Sequence, residues 1–193
     1  MKDRAKEEWI SYKKRKLESL EKAKKRGEVD EWIISILDRI NFDPNYVTLS
    51  SCAGRIAVMD MPDFGNKRDA IFLGKWHYVP PVEEIKRAIE AGKMTTWVML
   101  NPPILHIACF DLESAERLIL SAQKAGIRRA GIISLRHNVV EVCGHERMEI
   151  PVRFGKRLPF DVESFLRLAE MKLERSRRKF EKFCQLVSDS CGT

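Results

Sequence analysis

The chain has 193 residues, of which 44% are hydrophobic and 33% charged, and its formal net charge is +7. This composition is typical of a soluble globular protein with one domain or two small packed ones, and no apolar run approaches the roughly 20 residues that span a bilayer. The basic balance raises the expectation of a polyanionic partner without identifying one. The first residues have no apolar segment behind their charges, so they do not form a secretory signal, and we expect a cytoplasmic protein.

The five cysteines are scattered, and no two of them form a CxxC pair. Cys52, Cys109 and Cys143 lie in or beside apolar segments that read as strands. This pattern predicts buried thiols rather than a zinc site.

Two helices are predicted before the first strand. The first, over residues 1–26, has Trp9, Ile10, Leu17 and Leu20 as its few apolar anchors. Its lysines and arginines form either a solvated surface or an RNA-contacting one. The second helix follows Gly27 and ends at residues 41–45, with a stripe of apolar positions. That stripe consists of Val29, Ile33, Ile36, Leu37 and Ile40.

The central part alternates strands and helices. Strands are expected over residues 46–49, 56–59, 70–73, 94–100 and 104–110. A helix is predicted over residues 81–91, and another over 112–125 begins at Asp111 as N-cap and ends at Gly126. Two consecutive prolines, Pro102 and Pro103, interrupt the ladder between the last two strands.

A hairpin and a long basic helix complete the chain. Residues 127–135 and 138–143 read as its two strands, residues 148–152 as a further extended piece, and 161–187 as the helix. The apolar stripe of this helix is Phe165, Leu168, Ala169, Leu173, Phe180 and Phe183. The order of elements predicts an α+β fold with mixed strand pairing, and it hints at duplicated β-α-β units between long terminal helices.

Residues 50–55, SSCAGR, lie between two predicted strands and concentrate polar groups on one connection. Gly54 permits φ > 0 or close approach of the backbone to a ligand, and Arg55 offers a planar donor fork for carboxylate or phosphate. An ordinary turn with a surface arginine is the simpler alternative. No base is placed near Ser51 and Cys52 by spacing, so nucleophilic catalysis is not indicated.

Other candidate polar residues stand at the ends of predicted elements. Asp30 begins the second helix, where favouring the helix dipole is its simplest role. His106 lies inside an apolar strand, which is also typical of a core histidine. The rest are Trp76, His77, Arg128, Gly131 and Glu149. No dinucleotide fingerprint, Walker loop, HExxH or GxSxG motif is present, so the residues alone leave an enzyme and an RNA-binding module open.

Several blocks in the same order resemble the tRNA wybutosine-synthesizing methyltransferase family. They are GEVDE at 27–31, LDRIN at 37–41, SSCAGRI at 50–56, ILHI at 104–107, AGIR at 125–128 and MEIP at 148–151. The departures from the family pattern include Leu49 in place of a threonine and Asn101 in place of a glutamate. Arg129 and Ala130 likewise stand where the family has an asparagine and a serine.

The resemblance implies a single domain over residues 1–193 with a fold other than the Rossmann methyltransferase fold. It also implies methyl transfer from S-adenosylmethionine to a 4-demethylwyosine-type tricyclic guanine beside the anticodon of phenylalanine tRNA. Catalytic roles then go to Ser50, Ser51, Arg55, Asp30 and His77. Cofactor binding is assigned to Gly54, His106, Arg128, Gly131 and Glu149, and base binding to Trp76 and Arg55. The alternative is a non-catalytic tRNA-binding protein that uses its basic helices.

Overall fold

The computed structural model of the protein describes residues 2–62 and 69–189. Its helices are α1 (Lys2–Lys25), α2 (Glu31–Phe42), α3 (Val82–Glu90), α4 (Leu112–Lys124) and α5 (Val162–Asp189). Its strands are β1 (Tyr46–Cys52), β2 (Arg55–Met61), β3 (Ile71–Trp76), β4 (Thr95–Asn101), β5 (Ile104–Cys109), β6 (Arg129–Ser134), β7 (Val139–Cys143), β8 (Met148–Phe154) and β9 (Lys156–Arg157). A short 3-10 turn, Arg136–Asn138, joins β6 to β7. None of the described helices has both the length and the apolar composition needed to cross a membrane.

The chain folds into two compact units, and each contains one β-sheet. The first unit draws on Met1–Ala53, Pro103–His145 and Arg177–Thr193, and the second on Gly54–Pro102 and Glu146–Ser176. The division therefore falls inside the SSCAGR motif and inside α5. A single functional domain over residues 1–193 stays a prediction, because the compactness of each unit does not test it.

The first unit is built on a four-stranded antiparallel sheet with the order β1-β5-β7-β6. Alternate residues of each strand point to opposite faces, so Leu105 and Ile107 contribute to the main core while Ala108 faces the other side. The main core lies between the sheet and α2, α4 and the 177–189 part of α5. On the opposite face, Trp9 of α1 packs with Ala108 and Val139.

Local sequence signals set the ends of α4 in this unit. The Asp111 side chain accepts a hydrogen bond from the Ser114 amide at 2.8 Å, which caps the first turn. At the other end, Gly126 has φ +87°, and the Ile127 amide donates to the Ala122 carbonyl at 2.8 Å. The Asp111 cap confirms the predicted start of the helix, and Gly126 confirms the predicted termination signal, with the last helical residue at Lys124 instead of 125.

The second unit contains a five-stranded antiparallel sheet with the order β3-β2-β4-β8-β9. One face is covered by α3 and the 162–176 part of α5, which pack on Ile56, Val98 and Val152. Asp60, buried in β2, accepts hydrogen bonds from the Lys93 amide at 2.7 Å and the Thr96 hydroxyl at 2.8 Å. These bonds tie the segment after α3 to the sheet.

The α+β class and the order of helices and strands are confirmed, with corrections in detail. Every described strand pair is antiparallel, so the expected mixed pairing is wrong.

Ile10 and Leu168 are 56% and 51% exposed, because each helix packs through a narrower stripe than its apolar residues suggest; Leu166 is buried instead of Leu168. The expected burial of Cys109 and Cys143 is confirmed, Cys52 is half-buried, and Cys191 lies outside the described residues.

Candidate functional site

A row of polar side chains crosses the sheet of the first unit. Ser50 on β1 is paired with His106 on β5, and His106 is paired with Glu141 on β7. The Ser50 hydroxyl oxygen lies 2.7 Å from His106 Nδ1, and His106 Nε2 lies 2.9 Å from Glu141 Oε2. Because directly paired residues share a face of a sheet, the three side chains form one connected network.

The chemistry of this row follows from what each group can donate. An ionised carboxylate only accepts hydrogen bonds, so Glu141 holds a proton on His106 Nε2. In the neutral imidazole, Nδ1 is then the acceptor, and the Ser50 hydroxyl donates to it. A catalytic triad has the same order of hydroxyl, imidazole and carboxylate, but there the hydroxyl contacts Nε2 and the carboxylate contacts Nδ1. Here the hydroxyl contacts Nδ1 and the carboxylate contacts Nε2. The arrangement orients the hydroxyl oxygen of Ser50, which is exposed.

Gly131 ends the row on β6, where it is paired with Glu141. A Cβ atom added at Gly131 would meet no other atom within 4 Å. Steric crowding therefore does not require glycine here, and open space lies beside the Glu141 end of the row. Arg128, another predicted cofactor residue, is exposed just before β6.

Ser50 and Ser51 do not converge on one ligand-binding surface of this sheet. Both belong to β1, which extends to Cys52, so the SSCAGR motif is not the six-residue loop that the sequence suggested. Ser51 is paired with Leu105, a main-core residue, and therefore points to the face opposite Ser50. The backbone pairing with β5 overrides the weak strand preference of serine.

Asp30 and Arg177 hold the backbone that follows β1. Asp30 Oδ2 accepts a hydrogen bond from the Ala53 amide at 2.7 Å, and Arg177 Nε donates to the Ala53 carbonyl at 3.4 Å. The Asp30 side chain makes no capping bond to α2, although the residue occupies the N-cap position. Arg177 also lies over the Trp32 ring, 5.0 Å from its centroid. Burial lowers the pKa of Arg177, and the nearby Asp30 carboxylate opposes that shift.

In the second unit, Gly54 and His77 contact each other. Gly54 has φ +82°, which confirms the expected left-handed backbone at this glycine. Its carbonyl oxygen lies 3.1 Å from His77 Nδ1. A carbonyl only accepts, so Nδ1 carries the proton and Nε2 is the basic nitrogen of the neutral ring.

Arg55 begins β2 and carries a buried polar atom. In the part of the chain that the structure describes, Arg55 Nε is buried and has no hydrogen-bond partner. The guanidinium carbon lies 5.4 Å from the centroid of the Phe72 ring, a cation–π contact that orients the side chain. A buried donor without a partner is costly, so an anionic ligand such as a carboxylate would complete this site.

Trp76 has a packing role in this unit. Its indole ring lies against Gly74, where an added Cβ would be 2.0 Å from the ring, and its Nε1 donates to Glu84 at 2.8 Å. The predicted stacking of Trp76 on a base stays a prediction. Glu149, on β8, is exposed and forms an ion pair with Arg147.

Two residues of these networks were missed from the sequence. Glu141 is the single charged residue in the apolar strand 139–143, and aligning the predicted hairpin with the strand that contains His106 would have identified it. Arg177 lies among many basic residues of α5, and no local pattern distinguishes it from its neighbours.

Comparison with protein families matches residues 11–189 to the family Methyltransferase TYW3. A tRNA(Phe) 7-((3-amino-3-carboxypropyl)-4-demethylwyosine(37)-N(4))-methyltransferase from Archaeoglobus fulgidus is 44% identical over 144 residues, covering 75% of this chain and 74% of the relative. The protein of the same name from Thermococcus sibiricus is 42% identical over 178 residues, covering 88% and 89%.

A solved structure shares the fold. The PH1069 protein from Pyrococcus horikoshii superimposes with a TM-score of 0.88 at 35% sequence identity. The superposition covers 95% of this chain and 98% of that one.

Proposed function

The chain belongs to the Methyltransferase TYW3 family, and we propose that it transfers a methyl group from S-adenosylmethionine to a ring nitrogen of a 4-demethylwyosine-type base in tRNA(Phe). The observation that carries this proposal is the family match over residues 11–189, which contains every predicted site residue from Asp30 to Glu149. The two relatives described above, which methylate N4 of such a base according to their names, support the same substrate. A cytoplasmic location, where tRNA is available, is part of the proposal.

Arg55 is the residue that best fits a methyl donor. Its buried Nε, without a partner among the described residues, and its planar donor fork suit the carboxylate of the methionine moiety. When bound, S-adenosylmethionine supplies an electrophilic methyl group on its sulfonium sulfur. The other proposed cofactor-binding residues are Gly54, His106, Arg128, Gly131 and Glu149.

Methylation of a ring nitrogen requires that its proton be removed. The nitrogen–carbon bond forms as the carbon–sulfur bond of the donor breaks, and the hydrogen on the nitrogen leaves as a proton. We assign its acceptance to His77, because the Gly54 carbonyl holds the tautomer in which Nε2 is basic. Asp30 stays a second predicted acceptor, although its observed contact is to the Ala53 amide.

Ser50 is proposed to bind the polar edge of the base. Its exposed hydroxyl is oriented by His106, which is itself oriented by Glu141. Held in this way, a hydroxyl can position the acceptor nitrogen, and positioning can contribute up to roughly 7–11 kcal/mol to lowering a barrier. Ser51 faces the other side of β1, so its proposed role has less structural support.

Calorimetry distinguishes this proposal from a non-catalytic tRNA-binding protein. Titration of the purified chain with S-adenosylmethionine should give saturable heat with one site, and Arg55→Ala should weaken that binding. Arg167→Ala provides a comparison, because it removes an exposed arginine of the same unit to which no cofactor role is assigned. Tight, salt-dependent tRNA binding without any heat from S-adenosylmethionine would favour the non-catalytic alternative.

A further inference from the structure

A groove of about 760 Å³ lies in the first unit between α1 and the turn that precedes β7. The residues of α1 that line it recur at three- and four-residue spacing and so occupy one flank of the helix. They are Arg4, Glu7, Glu8, Ser11, Tyr12, Arg15, Lys16 and Ser19. Arg136 and His137 of the turn complete the lining.

The charges in the groove are unbalanced. Arg4 is paired with Glu8 at 3.1 Å, so this pair contributes little net field. Among the described residues, no salt bridge involves Arg15, Lys16 or Arg136, and all three are exposed. Glu7 adds one negative charge, so the residues that line the groove carry a formal net charge of +2 with His137 neutral, and the resulting positive potential favours a polyanion.

Two stacked rings belong to the lining of the groove. The Tyr12 and His137 rings have centroids 3.9 Å apart and planes inclined by 17°. Lys16 Nζ lies 5.6 Å from the centroid of the Tyr12 ring. His137 has φ +59°, an uncommon conformation for a residue with a Cβ. Burial lowers the pKa of His137, and the charges of Arg136, Lys16 and Arg15 add to the effect.

The groove and the polar row lie on the same face of the first sheet. Val139, the residue after the turn, packs with Trp9 of α1 on this face. Glu141 is two residues further along β7, about 7 Å at the usual rise of a strand, and it points to the same side. A nucleic-acid strand in the groove would therefore extend toward the Ser50–His106–Glu141 row.

We propose that this groove binds backbone phosphates of the RNA that carries the target base, with Arg15, Lys16 and Arg136 as the contacting cations. The inference rests on the proposed function for the identity of the polyanion. Contacts of this kind supply affinity and orientation without reading sequence. They would hold the RNA strand at a defined distance from Ser50.

The test compares two double variants that each remove two positive charges. Arg15→Ala/Arg136→Ala removes two cations from the groove, and Lys14→Ala/Lys25→Ala removes two exposed lysines from another flank of α1 that does not line it. Dissociation constants for tRNA(Phe) are measured across a series of salt concentrations. Melting temperatures establish that both variants are folded.

We expect the groove variant to flatten the slope of log K against log salt by about 1.4 to 1.8, because each lost phosphate contact contributes roughly 0.7 to 0.9. In the control variant the slope should differ from the wild-type slope by less than about half of the change expected for the groove variant. A groove variant with the wild-type slope, or a control that loses as much, overturns the proposal. The binding readout does not require catalysis, so wild-type protein that binds tRNA but never methylates it would contradict the proposed function alone.

Discussion

The hydroxyl oxygen of Ser50 lies 2.7 Å from Nδ1 of His106 on the neighbouring strand, whereas Ser51, the next residue, faces the other side of the sheet. We therefore expect Ser50→Ala to lower kcat/KM by about 10- to 100-fold, the cost of one to two hydrogen bonds made in the reacting complex. Ser51→Ala should lower kcat/KM less than Ser50→Ala does, and both variants should fold. Steady-state methyl transfer measures both, and a larger loss in Ser51→Ala would contradict the assignment.

Glu141 should act through His106 rather than on the substrate. Glu141→Ala removes the acceptor that holds the proton on His106 Nε2, so the imidazole can adopt either tautomer. We expect kcat to fall about tenfold while KM changes little, which corresponds to one charge-assisted hydrogen bond of roughly 1.5 kcal/mol. Nitrogen-15 NMR of the histidine ring should show a mixture of tautomers in Glu141→Ala and the Nε2–H form in Glu141→Gln. Unchanged tautomers in both variants would contradict this role.

Asp30 has an observed structural contact and a predicted catalytic role, and two variants distinguish them. Asp30→Ala leaves the Ala53 amide without its acceptor and should lower the free energy of unfolding by about 1–3 kcal/mol. Asp30→Asn keeps an oxygen that can accept this bond, so we expect most of the stability and most of the activity to remain. A folded Asp30→Asn protein that loses more than about 100-fold in kcat would instead support proton acceptance by Asp30.

Stability should decline in alkaline solution because of Cys109. Burial raises the pKa of this thiol from 9.0 to about 12. The unfolded chain ionises its thiol near pH 9 while the folded one stays protonated, so stability that is full below pH 9 is lost as the pH rises toward 12. Chemical denaturation at several pH values should give a shallower decline for Cys109→Ala. Tyr46, whose pKa burial also raises to about 12, is unchanged in the variant and contributes to the remaining decline. Cys184, whose thiol pKa burial also raises, contributes in the same direction. Identical pH profiles for the two proteins would exclude the thiol as a cause.

Elements with local signals could be predicted from the sequence. The cap at Asp111, the glycine at 126 and the hairpin over residues 129–143 depend on neighbours within a few residues. The pairing of strands that are distant in the sequence could not be predicted from such local signals. Ser50 pairs with His106 across 56 positions, and that pairing turns the middle of the SSCAGR motif into strand. The same lack of long-range information concealed Glu141 and Arg177, which act on residues far away in the sequence.

The predicted site residues also depend on packing that local patterns do not specify. Trp76 lies two residues after Gly74 on β3, and this spacing alone does not reveal that the indole ring packs on the glycine. Leu168 fits the helical stripe of α5 but is exposed, because the second core takes Leu166 and Ala169 instead. Side-chain packing of this kind is set by the whole unit.

The central claim is that this chain methylates a tricyclic guanine in tRNA, and mass spectrometry of the nucleoside tests it directly. Purified protein is incubated with S-adenosylmethionine and tRNA(Phe) carrying the 4-demethyl precursor, and the tRNA is then digested to nucleosides. The account predicts a precursor nucleoside heavier by one methyl group, about 14 mass units, in wild-type protein and strongly reduced product in Ser50→Ala. Wild-type protein that binds both tRNA and S-adenosylmethionine but leaves the precursor mass unchanged would contradict it.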